Sequence, residues 1–231
     1  MPKVYAIIVA AGQGRRMNDP VRKQYLSMAG FPVIVHTLRV FNTCPDIDEM
    51  VLSVPPQDIN FCREELIKPA DLAKKITLVT GGATRQDSVF NGLEAIESDD
   101  GIAVIHDGVR PFVTADQITA CVNGAVKYGA CILGIPAFDT LKRVNDDSLI
   151  VETVKRDAIW MAQTPKAFRY DLISSAHQHA RQHGFRATDD ASLLEHIGVD
   201  VKIIPGSRRN LKITDQDDLK LARILLQRKH G

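Results

Sequence analysis

The chain has 231 residues, enough for one domain with a sizeable core. Its 45% apolar and 25% charged content is that of an ordinary globule, and a net charge of +1 excludes a global pull toward nucleic acid or membrane, so any basic site must be local. No apolar run approaches the length of a membrane span, no signal or transit segment is expected before the first strand-like run, and Cys44, Cys62, Cys121 and Cys131 lack Cys-x-x-Cys or finger spacing and read as reduced cysteines of a cytoplasmic protein.

In chain order, residues 4–10 form an apolar, β-branched run that reads as a strand buried on both faces. It ends in Gly12-Gln13-Gly14-Arg15-Arg16-Met17. The glycines let backbone N–H groups approach phosphate oxygens, and the arginines add positive charge that fits phosphate bidentately, so a nucleoside triphosphate is the natural guest. The loop is not a P-loop, and Met17 stands where the dinucleotide fingerprint needs its third glycine. A helix is predicted at 32–42, a strand at 50–54, a helix at 57–67 and a strand at 76–80. Gly81-Gly82 through Ser88 makes a second glycine-rich turn, able to hold a ribose or read a base edge, before a helix at 88–96. The strand at 103–106 leads into His106-Asp107-Gly108-Val109-Arg110. There Asp107 could approach a metal–phosphate complex or a sugar hydroxyl, and Arg110 could hold a phosphate or pair with Asp107. Thr114 and Gln117 have capping-box spacing before a helix at 115–127.

A strand at 130–135 precedes a region that breaks the pattern. Residues 139–144, 145–148 and 149–155 read as strand, turn and strand with little apolar surface. A lone hairpin is marginal in water, so it should pack on something, a second copy of the chain or the edge of the main sheet. Residues 156–165 read as a polar turn. Helices follow at 172–183 and at 191–196, the latter opened by Thr188-Asp189-Asp190, then a strand at 199–204 and a helix at 216–229 capped by Thr214. His177, His179, His183 and His196 fall on polar helix faces and read as surface residues. Lys212 alternates with Leu211 and Ile213, which alone would make it solvent-facing. Alternating strands and helices predict an α/β fold, a mainly parallel sheet covered on both faces, with ligands at the carboxyl ends of its strands.

There is no Gly-x-Ser-x-Gly elbow and no His-Glu-x-x-His. Cations dominate instead: Arg15, Arg16, Lys23, Arg110, Lys142, Arg156 and Lys212. Such a set suits attack of one phosphate on another. A phosphate monoester is largely dianionic at neutral pH and needs no general base, but it does need cations to offset repulsion.

In order and spacing, several segments resemble one family along almost the whole chain. They are Ala10-Ala11-Gly12-Gln13-Gly14-Arg15-Arg16-Met17, Lys23-Gln24-Tyr25-Leu26, Gly81-Gly82 with Arg85 and Asp87-Ser88, His106-Asp107 with Arg110-Pro111, Asp139-Thr140-Leu141-Lys142, Arg156-Asp157 with Trp160 and Gln163-Thr164-Pro165, Thr188-Asp189, and Asn210-Leu211-Lys212-Ile213-Thr214. The family is the 2-C-methyl-D-erythritol 4-phosphate cytidylyltransferases of non-mevalonate isoprenoid synthesis. The resemblance implies a Rossmann-like nucleotidyltransferase sheet in a single domain over 1–231, with a projecting β-arm at 136–157 that interlocks a homodimer. It implies CTP and methylerythritol phosphate as substrates, Mg²⁺ as cofactor and release of pyrophosphate, with no nucleic-acid or membrane partner. Ala10, Ala11, Gly12, Gln13, Gly14, Arg15, Gly81, Gly82, Arg85 and Ser88 would surround CTP. Arg16 and Lys23 would stabilise the transition state, and Arg156 and Lys212 would position the attacking phosphate. Asp107, Arg110, Thr140, Thr164 and Thr188 would line the acceptor pocket, with Arg110, Thr140 and Arg156 acting from the arm side. The resemblance names no metal ligand.

The sequence departs from the family in places. Arg22, not proline, precedes Lys23, leaving open which of the two reaches the phosphates. Gly108-Val109 replaces two alanines, so Gly108 should loosen that turn, and Ser207-Arg208-Arg209 is more basic than usual. The rival readings are a ribitol-5-phosphate cytidylyltransferase, whose loop is typically Ala-Gly-Gly-x-Gly-Thr-Arg-Met, and a catalytically silent nucleotide sensor.

Overall fold

The computed structural model of the chain describes residues 2–14, 17, 21–98 and 100–227. In order it contains β1 (Val4–Val9), β2 (Ser27–Met28), β3 (Phe31–Pro32), α1 (Val33–Thr43), β4 (Glu49–Val54), α2 (Ile59–Phe61), α3 (Lys68–Ala70), β5 (Ile76–Thr80), α4 (Arg85–Glu94), β6 (Ile102–Asp107), α5 (Ala115–Tyr128), β7 (Ala130–Pro136), β8 (Leu141–Val144), β9 (Ile150–Val154), β10 (Trp160–Arg169), α6 (Tyr170–Gln182), α7 (Asp190–His196), β11 (Lys202–Pro205) and α8 (Gln216–Gln227).

Seven strands form one sheet in the order β11-β7-β10-β6-β1-β4-β5. Every neighbouring pair is parallel except those of β10, which runs antiparallel to β6 and β7. Period-two alternation explains why the first strand is apolar throughout. Val4, Ala6 and Ile8 face a core formed with α1, α5 and Cys62 and Leu66 of the 59–70 segment. Tyr5 and Ile7 face a second core formed with α4, α6 and α7. A smaller cluster seats α8 through Leu219, Ala222 and Leu226 on Met17, Val33, Val109 and Ile213. No helix among the described residues is long and apolar enough to cross a membrane.

From β1 the chain winds to β4 and β5, then returns to β6 on the other side of β1. That reversal opens a crevice at the carboxyl ends of β1 and β6, where such sheets take their ligands.

Several expectations are corrected. Residues 160–169, whose first half is expected to belong to a polar turn, are the strand β10 in the interior of the sheet. Pro165 and the polar Gln163, Thr164 and Lys166 disguise it. All four are buried, and a register shift between Ala162 and Lys166 absorbs the proline's missing donor. The helix expected at 57–67 is a composite that begins with a 3₁₀ turn at Pro56–Asp58 and widens to π-type over Cys62–Ile67, where the Lys68 N–H reaches Arg63 O. Pro69 offers no N–H and its ring crowds the carbonyl four residues back, which favours the wider turn. The last helix is capped by Asp215, whose Oδ1 accepts from the Asp217 and Asp218 N–H groups, while Thr214 Oγ1 donates to Asp218. His177 is fully buried. The Thr114–Gln117 capping box forms as expected, and all four cysteines are free and buried.

The hairpin at 139–155 forms its own two-stranded sheet, β8 with β9, and not an edge of the main one. Val144, Leu149, Ile150 and Val151 on it are each more than half exposed.

Candidate active site

A cavity of about 560 Å³ occupies the crevice, within the size range of small-molecule sites. Its walls are Val9 to Gly14, Lys23 and Gln24, Gly82 to Arg85 with Ser88, Asp107 with Val109, and Lys212.

The first wall is the loop after β1. Gly14 takes φ +64°, a left-handed conformation that disfavours side chains, and lies against the Lys23 stem. Gln24, buried beside it, donates its amide to Ala10 O at 2.7 Å and Gly12 O at 3.1 Å. This clamp holds the loop open toward the cavity.

The second wall is the turn after β5. A side chain at Gly81 would strike Ala11 Cβ at 2.1 Å, so only glycine lets the two loops meet. Ser88 Oγ accepts from Gly82 N–H and donates to Thr84 O, while Thr84 and Asp87 form a capping box on α4.

Asp107, at the end of β6, is the carboxylate of the cavity. Its Oδ1 lies 3.0 Å from Arg85 Nε, and its Oδ2 lies 2.8 Å from Lys212 Nζ and 3.6 Å from Arg110 Nε. Burial alone would raise its pKa, but Arg85, Lys212 and Arg110 reverse this and hold it well below the usual carboxylate range. Arg85 is gripped in turn by Asp190, buried at the start of α7, at 2.8 and 3.0 Å. Burial would lower the Arg85 pKa, but Asp190 and Asp107 keep it charged. Beneath this layer His106 meets Arg110 O and Thr164 Oγ1, and burial pushes its pKa down to about 3. The 206–213 loop is tied on by Arg110 to Asn210 O, Asn210 to Thr164 O, and Ile213 N–H to Val109 O.

The structure thus brings Ala10, Ala11, Gly12, Gln13, Gly14, Lys23, Gly82, Arg85, Ser88, Asp107 and Lys212 to one cavity, with Gly81 directly behind its wall. The alternation argument for a solvent-facing Lys212 misses the Asp107 carboxylate that draws it in. Arg110 and Thr164 are struts behind the cavity: Thr164 is buried and its Oγ1 accepts from Asp107 N–H. Thr188 lines a neighbouring cavity of about 160 Å³ that shares Thr84 and Arg85. Thr140 and Arg156 are exposed beside the β8–β9 ribbon, outside the cavity, and Arg156 donates to Phe138 O. Arg15 and Arg16 lie outside the described residues.

Lys23 faces the cavity, whereas Arg22 turns away to Asp58. Gly108 sits in a closely packed turn. A side chain there would strike Ile34 Cδ1 at 2.5 Å, and its carbonyl accepts from Thr37 Oγ1. Arg208 stacks on the Phe138 ring at 3.9 Å, at the root of the ribbon. Sequence reasoning overlooked Gln24 and Asp190 as supports. Their partners lie 12 to 14 and 105 residues away, so no local spacing signals them.

Among the described residues no cluster of three or more His, Cys, Asp or Glu side chains could cage a metal. The donor set around the cavity suits an ion that arrives on a ligand's phosphates, with Asp107 as the adjacent carboxylate.

A mainly parallel sheet with a glycine-rich, cation-lined crevice at its switch point defines a nucleotidyltransferase-type α/β protein. A family model for 2-C-methyl-D-erythritol 4-phosphate cytidylyltransferase matches residues 4–228. Proteins of that name from Syntrophus aciditrophicus and Pelotomaculum thermopropionicum are 47% and 44% identical, covering all of this chain and 98% and 97% of their own lengths. The solved 4-diphosphocytidyl-2C-methyl-D-erythritol synthase of Anaerococcus prevotii superposes with a TM-score of 0.86 at 33% identity, over 98% of this chain and 96% of its own. The solved cytidylyltransferase of Francisella tularensis gives 0.82 at 32%, over 96% and 99%. The chain belongs to the 2-C-methyl-D-erythritol 4-phosphate cytidylyltransferase family.

Proposed function

We infer that the cavity carries out the family's reaction, transfer of the cytidylyl group of CTP to 2-C-methyl-D-erythritol 4-phosphate, within non-mevalonate isoprenoid synthesis. The observation that carries this reading is the cavity's charge: Lys23 lines it, and Arg85 and Lys212 pair there with one carboxylate, Asp107, in a chain of this family. A phosphate oxygen of the acceptor attacks the α-phosphorus of CTP, a new P–O–P bond forms, the α–β bond breaks, and pyrophosphate leaves. The acceptor is already dianionic near neutral pH, so no base is required. Catalysis is then positioning plus charge stabilisation.

In this reading the 10–14 loop, with Arg15 and Arg16, cradles the triphosphate, and Arg16 and Lys23 stabilise charge that grows at the α-phosphorus and leaving group. Gly81, Gly82, Arg85 and Ser88 hold the nucleoside end. Asp107 holds Lys212 where it meets the acceptor's phosphate, with Arg110, Thr164 and Thr188 supporting that end. Mg²⁺ bound with CTP beside Asp107 would supply further shielding of the phosphate charge.

The whole chain acts as one domain, with 136–157 as an arm that packs on a second copy. The exposed Val144, Leu149, Ile150 and Val151 support this, because a two-stranded ribbon gains stability only by burying such surface. Thr140 and Arg156 would then complete the partner's acceptor pocket. Four free, buried cysteines fit the reducing cytoplasm.

Pyrophosphate release from CTP and Mg²⁺ with methylerythritol phosphate, and not with ribitol 5-phosphate, is the expected result. Release with ribitol 5-phosphate alone would keep the chemistry and change the acceptor. CTP binding without turnover on either would make the chain a sensor.

A further inference from the structure

The residues on either side of Lys23 converge on one carboxylate outside the cavity. Arg22 Nη1 donates to both Asp58 oxygens, at 2.9 and 2.6 Å, and Tyr25 Oη donates to Asp58 Oδ2 at 3.0 Å. Asp58 is well placed to receive them. It ends the 3₁₀ turn Pro56–Asp58 that follows β4, and its side chain is 13% exposed. Burial, then the nearby Cys62 and the Asp58 charge, pushes the Tyr25 phenol far above its ordinary pKa, so it stays a donor. Its ring packs edge-on against Phe61 at 5.3 Å. Between these two anchors the chain makes a single 3₁₀ turn, Lys23–Tyr25, closed by Tyr25 N–H to Arg22 O. Gln24 points inward to the phosphate loop and Lys23 into the cavity.

We propose that Asp58 is a positioning residue for the transfer reaction: by holding Arg22 and Tyr25, it fixes the backbone on both sides of Lys23 and sets where that ammonium stands against the phosphates of CTP. The proposal rests on the role given to Lys23 above. Asp58, Arg22 and Tyr25 do not line the cavity that Lys23 enters. The effect of Asp58 passes through backbone geometry alone. The φ of Arg22 is −62°, within the range that a proline ring imposes. The ion pair therefore does with a side chain what a ring would do covalently.

The test is a kinetic cycle on the full chain with CTP, Mg²⁺ and methylerythritol phosphate. Asp58→Ala should lower kcat by roughly tenfold to a hundredfold, the size expected for a catalytic group displaced by about 1 Å, with the KM for CTP changed by less than about threefold. In a Lys23→Ala background the same substitution should change kcat by less than about twofold, because the group it positions is gone. Arg22→Pro added to Asp58→Ala should return at least roughly a third of the lost rate by restoring φ directly. An equal loss from Asp58→Ala with and without Lys23, or no return of rate with Arg22→Pro, overturns the proposal. If Lys23→Ala itself leaves kcat intact, the assignment of Lys23 falls, and the positioning role with it. Should Asp58→Ala not fold, Asp58→Asn keeps the side-chain shape and is read through the same cycle.

Discussion

The two ends of the site are built differently. At the cavity end, the described residues of one chain supply the Gln24 clamp on the loop, the Gly81–Ala11 contact, and an Asp107 carboxylate matched by Arg85, Lys212 and Arg110. At the arm end, Thr140 and Arg156 flank an exposed ribbon away from the cavity of their own chain. Charge that is paired and buried is organised by folding alone, whereas an exposed apolar ribbon would be organised by the proposed association. The first end should therefore fail through stability or rate, and the second through the acceptor and the oligomeric state.

The largest effect should come from Asp107→Asn. Removing the shared anion leaves Arg110 without its carboxylate and Arg85 with Asp190 alone, at a cost of about 3–5 kcal/mol for breaking a buried pair. In a chain of this size that is a fall in Tm of roughly 6–20 °C by calorimetry. A Tm unchanged by the substitution would mean that the cavity end does not depend on this carboxylate. Next is Lys23→Ala, expected to lower kcat by about 10²–10³-fold, comparable to loss of one oxyanion donor, with little change in the KM for CTP. A change confined to KM would make Lys23 a ground-state contact.

Arg156→Ala tests the other end. It should lower kcat/KM for methylerythritol phosphate by roughly tenfold to a hundredfold, as for a lost charged hydrogen bond, and leave CTP binding by calorimetry intact. Mixing it with Lys23→Ala sharpens the comparison. If each arm serves the other copy, random exchange of subunits places both wild-type residues in about one site in four, so roughly a quarter of the activity returns. If Arg156 acts on its own chain, mixing restores nothing.

Much of this was legible in the sequence, and what was hidden has physical reasons. The strand and loop at 4–14 and the strand–loop–helix units around 76–94 and 102–128 follow from apolar periodicity and capping residues, both local signals. β10 was hidden because its Gln163, Thr164 and Lys166 satisfy their polar groups through residues far along the chain, such as Ser207, His106 and Asp189. The buried state of Asp190 is likewise set by Arg85, which lies 105 residues away. The roles of Arg110 and Thr164 as struts behind the cavity depend on how the 206–213 loop packs on the turn after β6, which no spacing encodes.

His177 carries the same lesson into a weaker prediction. Helical periodicity put it on a polar face, yet it is fully buried on α6 beside Phe90, with neither ring nitrogen hydrogen-bonded in the structure. Burial pushes its pKa down to about 4, against the pull of Asp190 and Asp87, with Arg85 and Arg181 adding to the depression. In the unfolded chain it takes up its proton near pH 6.5. Between about pH 6.5 and 4 the unfolded state therefore binds more protons, and folding stability is lost as pH falls through that window. Lowering pH from 7 to 5.5 should cost about 1 kcal/mol through this residue, with a similar share from His106. His177→Leu should remove its own share, so that the Tm of the variant falls less than that of the parent over the same interval. Parallel Tm curves would mean that His177 keeps its ordinary affinity for protons in the folded chain.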